Sequence, residues 1–477
     1  MQRRLDLGEA RHYIDGTWCG DGERIEVVDP ATEQVVGQVV AGTPADVDAA
    51  VASARRAFPA WSGRSVAERV DVAGRLAKAV GERAGDLMEV ISTQMGSPLW
   101  VSERVQVGLP MMVLDAFPRT AADFAYEEVL GNSLVVREPV GVVGCITAWN
   151  YPLYLAVCKV VPALLAGCTV VLKPSEMTPF DACILAEAME AAGVPPGVFN
   201  VVHGRGPEVG EALAAHPDVD MVSFTGSTAA GRRVAATAAG TVKRVALELG
   251  GKSATVVLDD ADVAKAVATG TAMCFLNSGQ TCTALSRLLV PRARLGEAEQ
   301  IAAAVAAKHT VGDPFDAGTR VGPVASARQR ATVRGYIDGA VAEGARLVTG
   351  GGGPPADLAS GYYVAPTVFS SVDRTMTVAR EEVFGPVLAI LPYEDDDDAV
   401  AIANDTIYGL SSAVWSADEE RAMAVARRLR AGQVEVNGGP YNPYAPFGGY
   451  RQSGTGRELG AHGLAEFLEV KSIQRQP

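Results

Sequence analysis

Val140-Gly-Val-Val-Gly-Cys-Ile146, followed by Tyr154-Leu-Ala-Val-Cys-Lys-Val-Val-Pro-Ala-Leu-Leu-Ala166 and Thr169-Val-Val-Leu172, is the stretch that decides the fold. A short β-branched run, a longer apolar helical run and a second β-branched run spell a βαβ unit with both strands buried. Pro139 to Cys158 is about as long as a membrane span, but Gly141, Gly144, Asn150 and Pro152 divide it into a strand and a helix. The alternation continues with β-rich pieces at Val198 to Val202, Val219 to Phe224 and Val242 to Leu247, and Ala-rich helical pieces around 181–192, 208–215 and 228–239. This predicts a parallel, doubly wound sheet.

A second alternation fills roughly 253–440, with β-rich runs at Ala254 to Leu258, Leu288 to Val290, Arg346 to Thr349, Val387 to Leu391 and Ser412 to Trp415. It predicts a second α/β domain. Upstream, Pro44 to Phe58 and Ser65 to Gln94 read as amphipathic helices covering one face of the first sheet. Ala121 to Glu138 and the tail Ala465 to Gln476 read as edge-like β segments far apart in sequence, which predicts β-pairing between subunits. Asp395 to Asp398 reads as a solvated turn or helix start, and Gly350 to Pro355 as a surface loop.

The 477 residues are 48% hydrophobic, 21% charged and 6% aromatic, so the chain folds as an ordinary globular protein of several units. With 42 Lys plus Arg against 56 Asp plus Glu, its formal charge of −14 argues against nucleic acid or an anionic membrane as partner. Seven cysteines, at 19, 145, 158, 168, 183, 274 and 282, show no CxxC spacing and no disulfide-rich density. That composition predicts a reducing, cytoplasmic home and no structural metal. The N-terminal MQRRLDLGEARHYIDG has no apolar stretch behind its arginines, unlike a secretory signal.

Five of the cysteines, 145, 158, 168, 183 and 274, lie in apolar runs and read as small buried hydrophobes. Cys282 differs: in Asn277-Ser-Gly-Gln-Thr-Cys282-Thr-Ala it stands in a Gly-containing turn among small polar residues, where backbone N–H groups can face a developing anion. Taken alone, it is either a nucleophile or one more buried thiol. Glu248 closes an apolar strand before Gly250-Gly251, at the edge where open α/β sheets gather chemistry, and is either a base or half of an ion pair.

His203-Gly-Arg-Gly-Pro-Glu-Val-Gly210 is one residue too long for GxGxxG, and Gly251-Lys252-Ser253 fails as a Walker A motif because Ala246 stands where its first Gly belongs. Phe224-Thr-Gly-Ser-Thr-Ala-Ala-Gly231 instead leaves a strand through a glycine and hydroxyl turn and enters a helix whose amides could hold a pyrophosphate. Lys173-Pro-Ser-Glu176 places a cation and an acid at a strand end, where they could bracket a ribose. An acid beside a 2′-hydroxyl disfavours a 2′-phosphate, so NAD is predicted over NADP.

Read in order, Ala148-Trp-Asn150-Tyr-Pro152, Lys173-Pro-Ser-Glu176, Phe224-Thr-Gly-Ser227, Glu248-Leu-Gly-Gly251, Gly279-Gln-Thr-Cys282, Glu382-Val-Phe-Gly-Pro386 and Pro446-Phe-Gly-Gly-Tyr450 resemble the NAD(P)-dependent aldehyde dehydrogenase superfamily. The resemblance runs from Tyr13-Ile-Asp-Gly-Thr-Trp18 to Val470-Lys-Ser-Ile473. It implies two Rossmann-like α/β domains: a cofactor domain over 1–119 and 139–249 and a catalytic domain over 250–445. A small β oligomerisation piece over 120–138 and 446–477 would build a homodimer or homotetramer.

It further implies that Cys282 is the nucleophile, Glu248 the general base, and the side-chain amide of Asn150 with the Cys282 N–H the oxyanion hole. The implied NAD contacts are Ile146, Thr147, Trp149, Lys173, Ser175, Glu176, Gly206, Gly210, Phe224, Gly226, Ser227, Leu249, Glu382 and Phe384. The implied aldehyde pocket is Tyr151, Leu155, Cys158, Leu276, Thr281, Thr283, Phe447 and a tyrosine between Tyr441 and Tyr444. No charge lines it, which favours an apolar aliphatic or aromatic aldehyde over one bearing a second carboxylate. Many members have Pro where this chain has Ala148, and acyl-CoA-forming members generally lack a glutamate matching Glu248, so hydrolysis to the free acid is expected over the acyl-CoA or silent-scaffold alternatives.

Overall fold

The structure, a computed structural model, describes residues 6–353, 355, 358 and 360–476. Residues 1–5 of the N-terminal reading and Pro354 of the Gly-Pro stretch lie outside the described residues.

The first sheet has eight strands, in the spatial order Gly454–Thr455, Arg244–Glu248, Met221–Thr225, Val142–Ile146, Thr169–Lys173, Phe199–Val201, His12–Ile14 and Thr17–Cys19. Its five central strands are parallel, and antiparallel strands close both ends. Val142–Ile146 and Thr169–Lys173 are buried at every residue, which is why the sequence shows unbroken apolar runs there instead of alternation. Between them the Pro152–Ala166 helix opens with Pro at its first turn, ends at left-handed Gly167 and is buried on nearly all sides.

Several strand ends differ from expectation by one or two residues, and one of them has a specific cause. Val242 is a β-former by type, yet it follows the 3₁₀ turn Ala239–Thr241, sits at φ 56° and is 91% exposed, so the strand begins only at Arg244. The stretch 65–94 is also two helices, Val66–Glu82 and Ala84–Met95, broken at Arg83, whose side chain bonds Asp86 and Glu187. Pro44–Ser62 does lie against the sheet, but Val66–Glu82 packs on the helices Gly108–Asp123, Phe180–Ala191 and Pro152–Ala166 as an outer layer.

The second sheet has seven strands, in the order Arg346–Thr349, Thr367–Ser370, Val387–Tyr393, Arg287–Pro291, Ala254–Val257, Ser411–Trp415 and Gln433–Val436, all parallel except the first pair. Thr367–Ser370 and Gln433–Val436 are strands that the reading of the sequence did not include. Apolar clusters pack both faces of each sheet. Asp395 caps the helix Asp396–Asn404 by accepting from the Asp398 N–H at 2.9 Å, so the acidic run is a helix start.

The two edge-like segments meet within one chain. Leu468–Gln474 pairs antiparallel with Ser133–Pro139, which in turn pairs with Glu127–Leu130. This sheet leaves Val129, Leu130, Val470 and Ile473 exposed. Residues Gly454–Thr455 and the helix Gly460–Ala465 pack instead on the first sheet and its helices. Gly8–Ala10, Arg24–Asp29 and Gln34–Val40 form a further three-stranded sheet. No described helix is long and apolar enough to cross a membrane.

Candidate active site

The helix Val263–Phe275 gives way to a turn in which Asn277, Ser278 and Gly279 have φ of 53°, 57° and 73°. Three successive left-handed residues are costly and persist only where the surroundings hold them. Asn277 Nδ2 donates to Asn150 O at 3.0 Å, Ser278 Oγ to Gly322 O at 2.9 Å, and Gln280 Oε1 accepts from the Ala325 N–H at 2.8 Å. At Gly279 a Cβ would lie 2.0 Å from Gly385 O, so no other residue fits. The turn delivers Cys282 partly exposed, ahead of the strand Arg287–Pro291.

Asn150 reaches the same place from the carboxyl end of Val142–Ile146. It is buried, and its Nδ2 donates to Gln280 O at 3.0 Å. One N–H of the amide is therefore fixed on the thiol-bearing turn, which leaves a second donor on the same nitrogen.

Glu248 ends its strand with Oε2 buried and unpartnered, while Oε1 lies where a Cβ on Gly448 would come within 2.7 Å. Burial first, and then the Glu458 carboxylate, raise its pKa well above the ordinary range, against the pull of Lys159 and Arg457. Lys159 and Glu458 form a buried ion pair beside it. Burial also pushes the Cys282 thiol up to about 12, with Glu382 and Glu248 adding to the shift. Both shifts favour the protonated forms of the thiol and the carboxyl group.

The residues proposed for the cofactor fall in two clusters. Ile146, Gly206, Gly210, Phe224 and Ser227 line one groove of about 410 Å³, in which Ser227 caps the helix Thr228–Ala238 by accepting from the Ala230 N–H. Gly226 joins Phe224 to Ser227, and buried Leu249 packs in the same core as Phe224. Lys173 donates to Glu176 at 2.9 Å, Thr147 N–H to Lys173 O at 3.1 Å, and buried Ser175 Oγ accepts from the Met177 N–H. The second cluster stands nearer the thiol: Glu382 accepts from the Gly251 N–H at 3.0 Å, and Trp149 meets Phe384 edge to face at 5.4 Å. Burial brings Glu382 up to about 7. A helix N-terminus with a hydroxyl cap, a lysine–glutamate pair and a second, half-buried acid form a donor and acceptor set suited to a pyrophosphate and two riboses.

Of the residues proposed for the aldehyde pocket, Tyr151 lies near the thiol, and Thr281 and Thr283 adjoin it in the chain. Tyr151 OH and Thr281 Oγ1 are 2.6 Å apart, and Thr281 Oγ1 also reaches Leu276 O at 3.5 Å. Leu155 and Cys158 are buried, whereas Leu276, Thr283 and Phe447 are half-buried, with the Phe447 backbone paired to that of Glu458. Of the two tyrosines in the loop, Tyr441 is half-buried with its hydroxyl 3.1 Å from that of Tyr154, and Tyr444 is exposed.

Sequence reading missed Lys159, Glu458, Gln106, Asn277 and Gln280. Lys159 had a signal, as the one charge in the otherwise apolar helix Pro152–Ala166. Among the described residues no cluster of His, Cys, Asp and Glu could hold a metal ion.

The profile of the aldehyde dehydrogenase family matches residues 18–473. A 3-succinoylsemialdehyde-pyridine dehydrogenase from a Pseudomonas species is 50% identical over 469 residues, covering 97% of each chain. A mutant of aldehyde dehydrogenase C from Pseudomonas syringae, solved with NAD+ and octanal, superposes with a TM-score of 0.97 at 49% identity, covering 98% of this chain and 96% of that one. An aldehyde dehydrogenase of Mycobacterium tuberculosis complexed with NAD+ gives 0.96 at 42% identity, with 98% of each chain covered. With the turn, the amide and the buried carboxyl group converging as they do, this chain belongs to the aldehyde dehydrogenase family.

Proposed function

We propose that the protein oxidises an apolar aliphatic or aromatic aldehyde to the carboxylic acid, with NAD as the oxidant. The observation that carries this reading is the convergence of Cys282, the half-free amide of Asn150 and the unpartnered carboxyl group of Glu248. Deprotonated Cys282 attacks the aldehyde carbon, and the new oxyanion takes hydrogen bonds from Asn150 Nδ2 and the Cys282 N–H. NAD, held by Lys173, Glu176, Ser227 and Glu382, supplies the acceptor for the hydride that leaves when the thiohemiacetal collapses to a thioester. Ionised Glu248 then takes a proton from water, whose oxygen attacks the thioester carbon; the acid leaves and the Cys282 sulfur is released. The relative solved with NAD+ and octanal is consistent with both the oxidant and an apolar substrate.

Glu176, engaged by Lys173 at the strand end, favours NAD over NADP, and Glu248 favours water over CoA as acyl acceptor. Exposed Val129, Leu130, Val470 and Ile473 support a homodimer or homotetramer, and seven unpaired cysteines support a reducing, cytoplasmic setting. The test is NADH formation across aliphatic, aromatic, amino and acidic aldehydes, with NADP in parallel and CoA present or absent. Turnover of apolar aldehydes with NAD alone is expected. Strict dependence on CoA, or preference for acidic aldehydes, would overturn the reading.

A further inference from the structure

Leu99–Val101 and Gly108–Asp123 are α-helical, but the six residues between them, Ser102–Val107, are wound as a π turn. Such turns add a residue to the helix, redirect the side chains near it and concentrate at functional sites. Here the turn carries Gln106, which is fully buried. Its Nε2 donates to the main-chain carbonyl of Asn150 at 2.9 Å and to Oδ1 of Asn277 at 3.3 Å. One amide thus bonds both the loop that follows the first sheet's strand Val142–Ile146 and carries Asn150, and the turn that precedes the second sheet's strand Arg287–Pro291 and carries Cys282.

The donors and acceptors permit one arrangement. Asn150 O accepts from Gln106 and from Asn277 Nδ2, which fills both of its lone pairs. Asn277 presents its oxygen to Gln106, leaving its nitrogen for Asn150 O and, at 3.3 Å, for Gln280 O, the same carbonyl that receives Asn150 Nδ2. Reversing the Gln106 amide would set its oxygen against two other oxygens. As it stands, Gln106 Oε1 is buried without a partner, an unfavourable state that an apolar side chain of equal size would avoid. The donating end is the part of this side chain that is used.

We propose that Gln106 is a positioning residue that fixes the Asn150 loop against the Asn277–Cys282 turn, so that the Asn150 amide stands at the oxyanion position when the thiol attacks. Gln106 itself touches neither substrate nor cofactor. The inference rests on Asn150 being the oxyanion donor.

The test compares the full-length enzyme with Gln106→Leu and Gln106→Glu on one apolar aldehyde at saturating NAD. Loss of a single oxyanion donor lowers kcat by about 100- to 1,000-fold, so loosening one is expected to lower it by roughly 10- to 100-fold. NAD affinity, read by fluorescence, should stay within about twofold. In Gln106→Glu an ionised carboxylate would face two oxygens, whereas the neutral acid would restore one donor. The ratio of its kcat to that of the parent enzyme should therefore climb as pH falls, a signature that lost packing would not produce. Parental kcat in both variants, or a Gln106→Glu ratio flat with pH, would overturn the proposal. Should Gln106→Leu fail to fold, the pH dependence of the isosteric Gln106→Glu decides alone. A parent enzyme inactive on every aldehyde would sink the functional reading instead.

Discussion

The two large sheets share a parallel, doubly wound architecture but serve the site from opposite ends. The first offers carboxyl ends: Asn150 follows Val142–Ile146, Lys173 and Glu176 close Thr169–Lys173, Ser227 follows Met221–Thr225 and Glu248 ends its own strand. The second offers amino ends: Gly251 precedes Ala254–Val257, Cys282 precedes Arg287–Pro291, and Glu382 and Phe384 precede Val387–Tyr393. Ligands in open α/β sheets ordinarily gather at carboxyl ends. That edge of the second sheet is occupied instead by ion pairs, Arg421 with Asp259, Asp260 and Asp396, and Arg292 with Glu394. Topology selects where a site can form, and the side chains at each edge decide whether one does.

The contrast can be broken most sharply at the thiol. Cys282→Ala should abolish aldehyde oxidation while leaving NAD affinity, read by fluorescence titration, within about twofold, because the cofactor residues belong mainly to the first sheet. Turnover surviving in that variant would remove the second sheet's amino edge from the chemistry. On the facing edge, Glu248→Gln should pass the first hydride transfer and stall, giving a burst of NADH followed by steady turnover lower by about 100- to 10,000-fold. A slowed first turnover with no burst would make Glu248 something other than the deacylation base.

A pH profile sharpens the same opposition. Cys282 is pushed up to about 12 and Glu248 is raised as well, so the deprotonated form of each grows as pH rises. kcat should climb with pH through neutrality and on into the alkaline range, and Glu248→Gln should lose the part of that rise that comes from the carboxyl group. A smaller effect is expected at the ribose end, where Glu176→Gln should narrow the preference for NAD over NADP by about tenfold, one hydrogen bond to a charged group. Smallest of all, Arg421→Ala at the unused edge should leave kcat unchanged and lower stability by at most about 1 kcal/mol, as partly exposed ion pairs do. A large loss of activity there would mean that the second sheet's carboxyl edge is coupled to the chemistry after all.

The sequence was most readable where one residue type had one physical meaning. Val142–Ile146 and Thr169–Lys173 are buried on both faces and announce themselves as apolar runs. Val242 misled because β-branching signals a strand, whereas the turn after Ala239–Thr241 needed a left-handed residue and took whatever stood there. Within the site, its place at a strand's end made Glu248 a candidate and the small polar residues around it made Cys282 one, but only the resemblance to a family chose between the readings each left open. Gln106 was not legible: its bonds go to residues 44 and 171 positions away, and a glutamine in a mixed helical stretch gives no sign of them. Glu458 was hidden for the same reason, since its partner Lys159 lies 299 residues earlier.

The pairing of Leu468–Gln474 with Ser133–Pro139, and of Gly454–Thr455 with the strand that ends in Glu248, bears on how the molecule is made. The first sheet's edge strand and the arm's outer strand are both translated after the whole second sheet. Synthesis proceeds at about 5–20 residues per second, so more than 200 residues must be added before the strand ending in Glu248 gains its last neighbour. The second sheet, by contrast, is drawn from one unbroken stretch between Ala254 and Val436. Its strands are therefore all synthesised before the first sheet receives its edge strand, so the base-bearing strand is the one that waits longest for a neighbour.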